Sequence, residues 1–175
     1  MTSPGDEKVE VVDENGTVLR VVSRAEMRAG NLRHRTTYVV VSTAAGEVVA
    51  HRRADHKDVW PGRWDIAFGG VTGVGEPWAQ AAARELAEEA GVTVAAGDLV
   101  ELAAGAYDDA DVSVLGRAYT TGHDGPFTCP DGEVAELALV PLEALGGWSA
   151  GHDLCPDTRA LVLPALLARP DHPHP

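Results

Sequence analysis

Over the first third of the chain, apolar residues come in short β-branched runs separated by turn residues. Val9, Val11 and Val12, then Val18, Leu19, Val21 and Val22, flank Asp13-Glu14-Asn15-Gly16. Asn-Gly between such runs predicts a hairpin, because both residues tolerate positive φ. Residues 23–31 (SRAEMRAGN) pair an N-capping serine with helix formers and a Gly-Asn stop, which predicts a short helix. Residues 36–43 (TTYVVVST) and Glu47–Arg53 are two further β-forming runs joined by Ala44-Ala45-Gly46, a second hairpin.

Pro61-Gly62 marks a turn, and Gly69, Gly70, Gly73 and Gly75 give the next stretch little side-chain bulk. From 77 to 90 the pattern becomes helical, opening on proline and stopping at Gly91, with Ala79, Ala82, Ala83, Leu86 and Ala90 as its expected buried stripe. Strands are expected at 98–103, 112–120 and 134–140, with a loop over 123–132. A last helix is expected from about Pro156 to just before Arg169. Residues 1–8 and 169–175 are expected to be flexible tails, leaving one domain over 9–168. Strands mixed with a few helices in one domain predict an α/β sandwich.

Composition narrows this picture without redrawing it. A chain of 175 residues, 45% hydrophobic and 23% charged, suits one soluble domain with a proper core. No apolar run is long enough to span a bilayer. The start, MTSPGDEKVE, lacks the basic and apolar stretches of a signal peptide, so a cytoplasmic protein is expected. Cys129 and Cys155 form no CxxC pair and are expected to be free thiols. The net charge of −13 argues against non-specific binding to nucleic acid or anionic membrane. It leaves room for a phosphate-bearing substrate, since bound cations and a few basic side chains can reverse the field inside one cleft.

The chemistry concentrates between residues 70 and 92, GVTGVGEPWAQAAARELAEEAGV. Glu85, Glu88 and Glu89 are spaced i, i+3 and i+4 and share one helical face. Carboxylates this close repel unless they are solvated or a hard cation sits among them, and magnesium and manganese prefer such oxygen ligands. The glycines let backbone approach the same metal and phosphate. Arg84 can orient neighbouring carboxylates through its planar fork. An isolated Glu-x-x-Glu-Glu is most often just a solvated helix face.

Here the whole segment resembles the Nudix box. Gly70, Glu76, Arg84, Glu85, Leu86, Glu88, Glu89, Gly91 and Val92 all fall in register. Seven fixed identities and two apolar positions would arise by chance on the order of once in 10⁹ starting points. The resemblance implies a Nudix-type α/β/α sandwich with a mixed sheet, and a hydrolase that cleaves a diphosphate linkage in a small molecule. It implies a Mg2+ or Mn2+ site at Glu88 and Glu89, with the Gly70 carbonyl as a further ligand and Glu85 as ligand or general base. Glu76 and Arg84 would hold the loop–helix geometry. Relatives often add a carboxylate from a later loop, for which Glu133 and Glu136 are the candidates.

Beyond the box, HRTTYVVV, HRRADHKDVWPGRWD and GPFTCPDGEVAEL are similar to a bacterial Nudix subfamily related to isopentenyl-diphosphate isomerase. That similarity implies that Arg53 and Lys57 contact substrate diphosphate, and cations opposite a metal make electrostatic sense there. His34 matches one isomerase metal histidine, although a lone histidine is more often structural. Trp60 and Trp64 are expected to be packing aromatics rather than substrate platforms. Isomerase activity is the competing reading. The isomerase catalytic cysteine falls at Gly69, and two of its metal histidines at Val71 and Met27. A Nudix domain kept only for ligand binding is a third reading. The organic part of the substrate and the oligomeric state, homodimer included, are left open by the motif.

Overall fold

The alternation over the first residues folds as an antiparallel hairpin of β1 (Lys8–Val12) and β2 (Val18–Ser23) in a computed structural model that describes residues 4–169. Its turn departs from the Asn-Gly expectation. Gly16 alone takes positive φ, and the Asp13 carboxylate accepts the amides of Asn15 and Thr17 instead. Ser23 caps α1 (Arg24–Ala29) by accepting the Glu26 amide at 3.1 Å. The expected eight-residue tail is shorter than that. Pro4–Asp6 forms a 3-10 turn, and Glu7 is tied to Arg24 by a backbone hydrogen bond and an ion pair. The expected tail over 169–175 lies, apart from Arg169, outside the described residues.

β3 (His34–Ser42) is the spine of the sheet. It runs parallel to β7 (Ser113–Gly122) along nine residue pairs, from His34↔Val114 to Ser42↔Gly122. β7 pairs in turn with β6 (Val100–Asp108). On its other edge β3 bonds to the glycine-rich segment: Val39 exchanges hydrogen bonds with Phe68, and the Thr37 amide donates to the Gly70 carbonyl. β4 (Glu47–Arg53) meets β3 only at Ser42↔Val48. It then diverges to pair with β5 (Trp64–Asp65) and β8 (Val134–Pro141). The mixed sheet is therefore forked, joined at the β3–β4 turn and open at the far end.

Two apolar layers cover its faces, which makes the α/β/α sandwich. Period-two alternation sends Val39, Val41 and Val49 to one side, where α2 (Trp78–Ala90) packs through Ala82, Leu86 and Ala90. Tyr38, Val40, Val48 and Ala50 face the other side. There α3 (Leu145–Ala150), α4 (Pro156–Leu161) and α5 (Leu163–Leu167), with the residues between them, add Leu145, Leu154, Val162 and Leu166. The single C-terminal helix expected from the sequence is two, because Pro164 cannot donate a helical hydrogen bond and its ring crowds the preceding turn. Among the described residues no helix is long and apolar enough to cross a membrane.

Candidate active site

α2 ends in the left-handed cap of Gly91, φ 71°, and its register decides how the three glutamates are used. The expected stripe is rotated: Ala81 and Glu89 are buried, while Ala79 and Ala83 are only partly so. Glu89 is 4% exposed, whereas the Glu88 side chain is 53% exposed. Glu85 lies between, against the backbone of Gly70, where a Cβ would come within 2.5 Å of its Oε2. Glu89 Oε2 accepts the Gly69 amide at 2.8 Å. Burial pushes its carboxyl well above the usual carboxylate range, only partly offset by that amide. Burial also raises Glu85, against the pull of Arg84.

Arg84 fastens this face to the glycine-rich loop. Its Nε and Nη2 donate to the two Glu76 carboxylate oxygens at 2.9 Å each, and its Nη1 donates to Glu85 at 2.6 Å and Glu88 at 3.1 Å. Glu76 in turn accepts the Gly73 amide at 2.7 Å. Through these contacts Arg84 and Glu76 join the end of the loop to the helix. The Gly70 carbonyl accepts the Thr37 amide at 2.9 Å, which leaves it a second lone pair. Gly69 leaves no choice of side chain: a Cβ built there would fall on the Thr37 carbonyl oxygen.

The later loop closes over the helix. Carboxylate oxygens of Glu89, Asp131 and Glu133 all lie within 4.8 Å of one another. Asp131 was not singled out in the sequence, although it sits in a Pro-Asp-Gly turn two residues before Glu133. Glu136 goes elsewhere, pairing with Arg52 at 3.5 Å. Lys57 forms a close ion pair with Glu133, rather than with any nearby aspartate. Burial tends to raise Glu133, but the Lys57 ammonium more than offsets this and holds it below its ordinary value. Arg53 turns its Nε and Nη2 to the Val59 carbonyl, at 3.2 and 3.0 Å.

Both cations line a cleft that starts at Glu89, Gly69 and Gly70 and runs under β3. Arg24 and Arg28 line it as well, and Arg28 pairs with Asp58 at 3.4 Å. Trp60, φ 48°, lines the cleft and donates its indole N–H to Asp111. Trp64 packs edge-on against Trp148. His34 is buried with Nδ1 on the Leu32 carbonyl at 2.9 Å.

A forked α/β/α sandwich with a glycine-rich loop, an Arg-held carboxylate helix and a late acidic loop defines a class of protein. The NUDIX domain family model matches residues 32–158, and the chain belongs to the Nudix family. It is 36% identical over 138 residues to the uncharacterized Nudix hydrolase YfcD of Escherichia coli K12, covering 78% of this chain and 76% of that protein. Another, PA4841 of Pseudomonas aeruginosa, is 33% identical over 147 residues, covering 84% and 86%. Among solved structures, DR0079 from Deinococcus radiodurans superposes with a TM-score of 0.72 at 20% identity, over 93% of this chain and all (100%) of that one. The NUDIX domain of Shewanella oneidensis NrtR, complexed with ADP ribose, gives 0.60 at 19% identity, over 82% and 96%. At these identities the two structures speak to the fold alone.

Proposed function

We propose that this protein hydrolyses a diphosphate linkage in a small molecule, with a divalent cation held by Glu88, Glu89, Asp131 and Glu133. The observation that carries the reading is the convergence of Glu89 from α2 with Asp131 and Glu133 from the late loop. Clustered, partly buried carboxylates with raised proton affinity suit a hard cation such as magnesium or manganese. Such an ion, when bound, supplies Lewis acidity toward phosphoryl oxygens and lowers the pKa of water. Gly70 supports the site by letting Glu85 approach its backbone, whatever its carbonyl adds. Glu85 serves as general base. Its raised proton affinity brings it nearer to working pH, and Arg84 fixes its orientation. Arg53 and Lys57, which line the cleft beside these carboxylates, bind the phosphates.

The substrate class is a nucleoside diphosphate linked to a second group, or a related diphosphate. The ADP ribose bound by the Shewanella domain supports including nucleoside diphosphates in the search. Isomerase chemistry finds no support at Gly69, where this backbone has no room for the required cysteine. A screen of diphosphates with magnesium, reading released phosphate or monophosphate, tests the assignment. Glu85→Gln and Glu89→Gln should each cut turnover by roughly 100-fold or more with the fold intact. Full turnover in chelator, wild-type rates in both variants, or interconversion of isopentenyl and dimethylallyl diphosphates would each remove it.

A further inference from the structure

β1 lies outside residues 32–158, the part of the chain that matches the family, yet one of its side chains reaches the glycine-rich loop. Glu10 Oε1 accepts the Gly75 amide at 2.9 Å, and its Oε2 accepts Arg35 Nη2 at 2.8 Å. Both side chains are mostly buried, Glu10 at 10% and Arg35 at 14% exposure. A buried ion pair loses most of its Coulomb gain to desolvation, and apolar side chains of the same size often stabilise as much. What this pair adds is geometry, and both of its ends are aimed at one turn.

That turn is Gly73–Glu76, closed by the Glu76 amide on the Gly73 carbonyl at 3.1 Å. Arg35 Nη2 is shared between Glu10 and the carbonyls at both ends of the turn, Glu76 at 3.2 Å and Gly73 at 3.4 Å. The Arg35 guanidinium also lies 5.1 Å from the ring centre of Trp78, the first residue of α2. Its Nε is left buried without a partner, so the guanidinium sits where the turn and Trp78 hold it and not where its own donors are best satisfied. Val9, next to Glu10, bridges to Gly73. The Gly73 amide donates to the Glu76 carboxylate, which takes two bonds from Arg84, and Arg84 reaches Glu85 at 2.6 Å. A continuous chain of polar contacts therefore runs from β1 through the turn to Glu85.

We infer that Glu10 and Arg35 are positioning residues for the proposed hydrolysis: they set the Gly73–Glu76 turn and, through Glu76 and Arg84, fix the carboxylate of Glu85. The inference rests on the reading of Glu85 as general base. Neither residue lines the cleft, so their loss acts on the chemical step and not on substrate binding. A misplacement of about 1 Å at a reacting group can cost roughly 100-fold in rate. The competing role is plain fastening of the β1–β2 hairpin to the sheet. That role predicts a lower melting temperature and an unchanged rate wherever the protein is folded.

The double variant Glu10→Met/Arg35→Met of the full chain separates the two roles, because it replaces both charges with apolar side chains and leaves neither ion buried alone. With magnesium and ADP ribose, or whichever diphosphate the screen returns, kcat should fall about tenfold or more while KM stays within about twofold. Amide exchange at Gly73, read by NMR without substrate, should speed up by about tenfold or more, although that amide bonds to Glu76 and to neither substituted side chain. Leu166→Ala, a core substitution remote from the loop, should lower the melting temperature without lowering kcat. If the double variant does not fold, Glu10→Gln, which gives up only the charge, should show both effects at about threefold or more. Unchanged kcat, or a raised KM with kcat intact, would overturn the inference. Faster Gly73 exchange in a protein that hydrolyses nothing would remove the hydrolysis reading alone. Wild-type kcat and wild-type Gly73 exchange in the variants of an active enzyme would remove this one alone.

Discussion

Lys57 is mostly buried, and its ammonium neutralises Glu133 beside the protonated-leaning Glu89. Removing it strands charge in the acidic cluster. Lys57→Ala should cost about 1–2 kcal/mol without metal, discounted because Glu133 is partly exposed, which is roughly 2–8 °C in melting temperature. Magnesium should restore much of that loss while KM for the diphosphate stays raised. Melting curves with and without magnesium, beside steady-state kinetics, check both. A stability loss with unchanged KM would make Lys57 purely structural. His51 makes a second residue-scale case. It is buried, stacked on Phe68 at 4.5 Å, and its Nδ1 has no partner. Burial lowers its pKa to about 3, so the folded state refuses a proton that the unfolded state accepts from about pH 6.5 downward. Its contribution is therefore present above that pH and is lost as pH falls toward 3. His51→Leu should gain on wild type by about 1.4 kcal/mol per pH unit over that window. Parallel denaturation midpoints from pH 7 to 4 would show no divergence if the ring were charged in the fold.

At the scale of elements, the glycine-rich loop acts as a strand laid along β3, and its glycines are not equivalent. Gly69→Ala pushes a methyl into the Thr37 carbonyl and should break the β3 contact, costing several kcal/mol or preventing folding. Gly75 has φ 67° but open space around its Cβ position, so Gly75→Ala should cost only about 1 kcal/mol of backbone strain. Chemical denaturation of the two variants checks the order, and equal losses would mean the loop does not pack as described. Hairpins and α2 were legible because their alternation, turns and caps agree locally. α3 was not, since Leu-Gly-Gly-Trp-Ser-Ala has poor helix propensity and forms only against the core. Nor was the continuation of β6 past residue 103 through Ala104 and Gly105, which pair with β7 despite weak β preference. The Glu85, Glu88 and Glu89 cluster could be read from spacing. The burial of Glu89 could not, because helix rotation is set by packing against Phe68 and Val39, which one sequence does not display. Glu133 was reachable as a candidate, whereas its pairing with Lys57 depends on the fork between β4 and β3.

Taken whole, the molecule carries a net charge of −13 and gathers several of its carboxylates at one cleft, so a divalent cation should act on global stability as well as on turnover. A ligand that binds only the folded state raises stability with the logarithm of its concentration. The sign with pH follows from Glu85 and Glu89, whose raised proton affinity makes protons compete with the cation as pH falls. The rise in melting temperature on adding magnesium at fixed ionic strength should therefore grow from pH 5 to pH 8. A rise that is absent, or the same at every pH, would place any metal effect outside this cluster.

Gly69 also limits where this lineage can go. A single nucleotide change can turn a glycine codon into a cysteine codon, but here the new side chain would collide with β3 before it could meet a substrate. The loop would first have to move away from Thr37, and that move would loosen the Gly69 amide's hold on Glu89. Intermediates on that path would lose the grip on Glu89 before gaining a usable thiol. A route to thiol chemistry on this fold would therefore have to begin with the backbone of the loop and not with the side chain at residue 69.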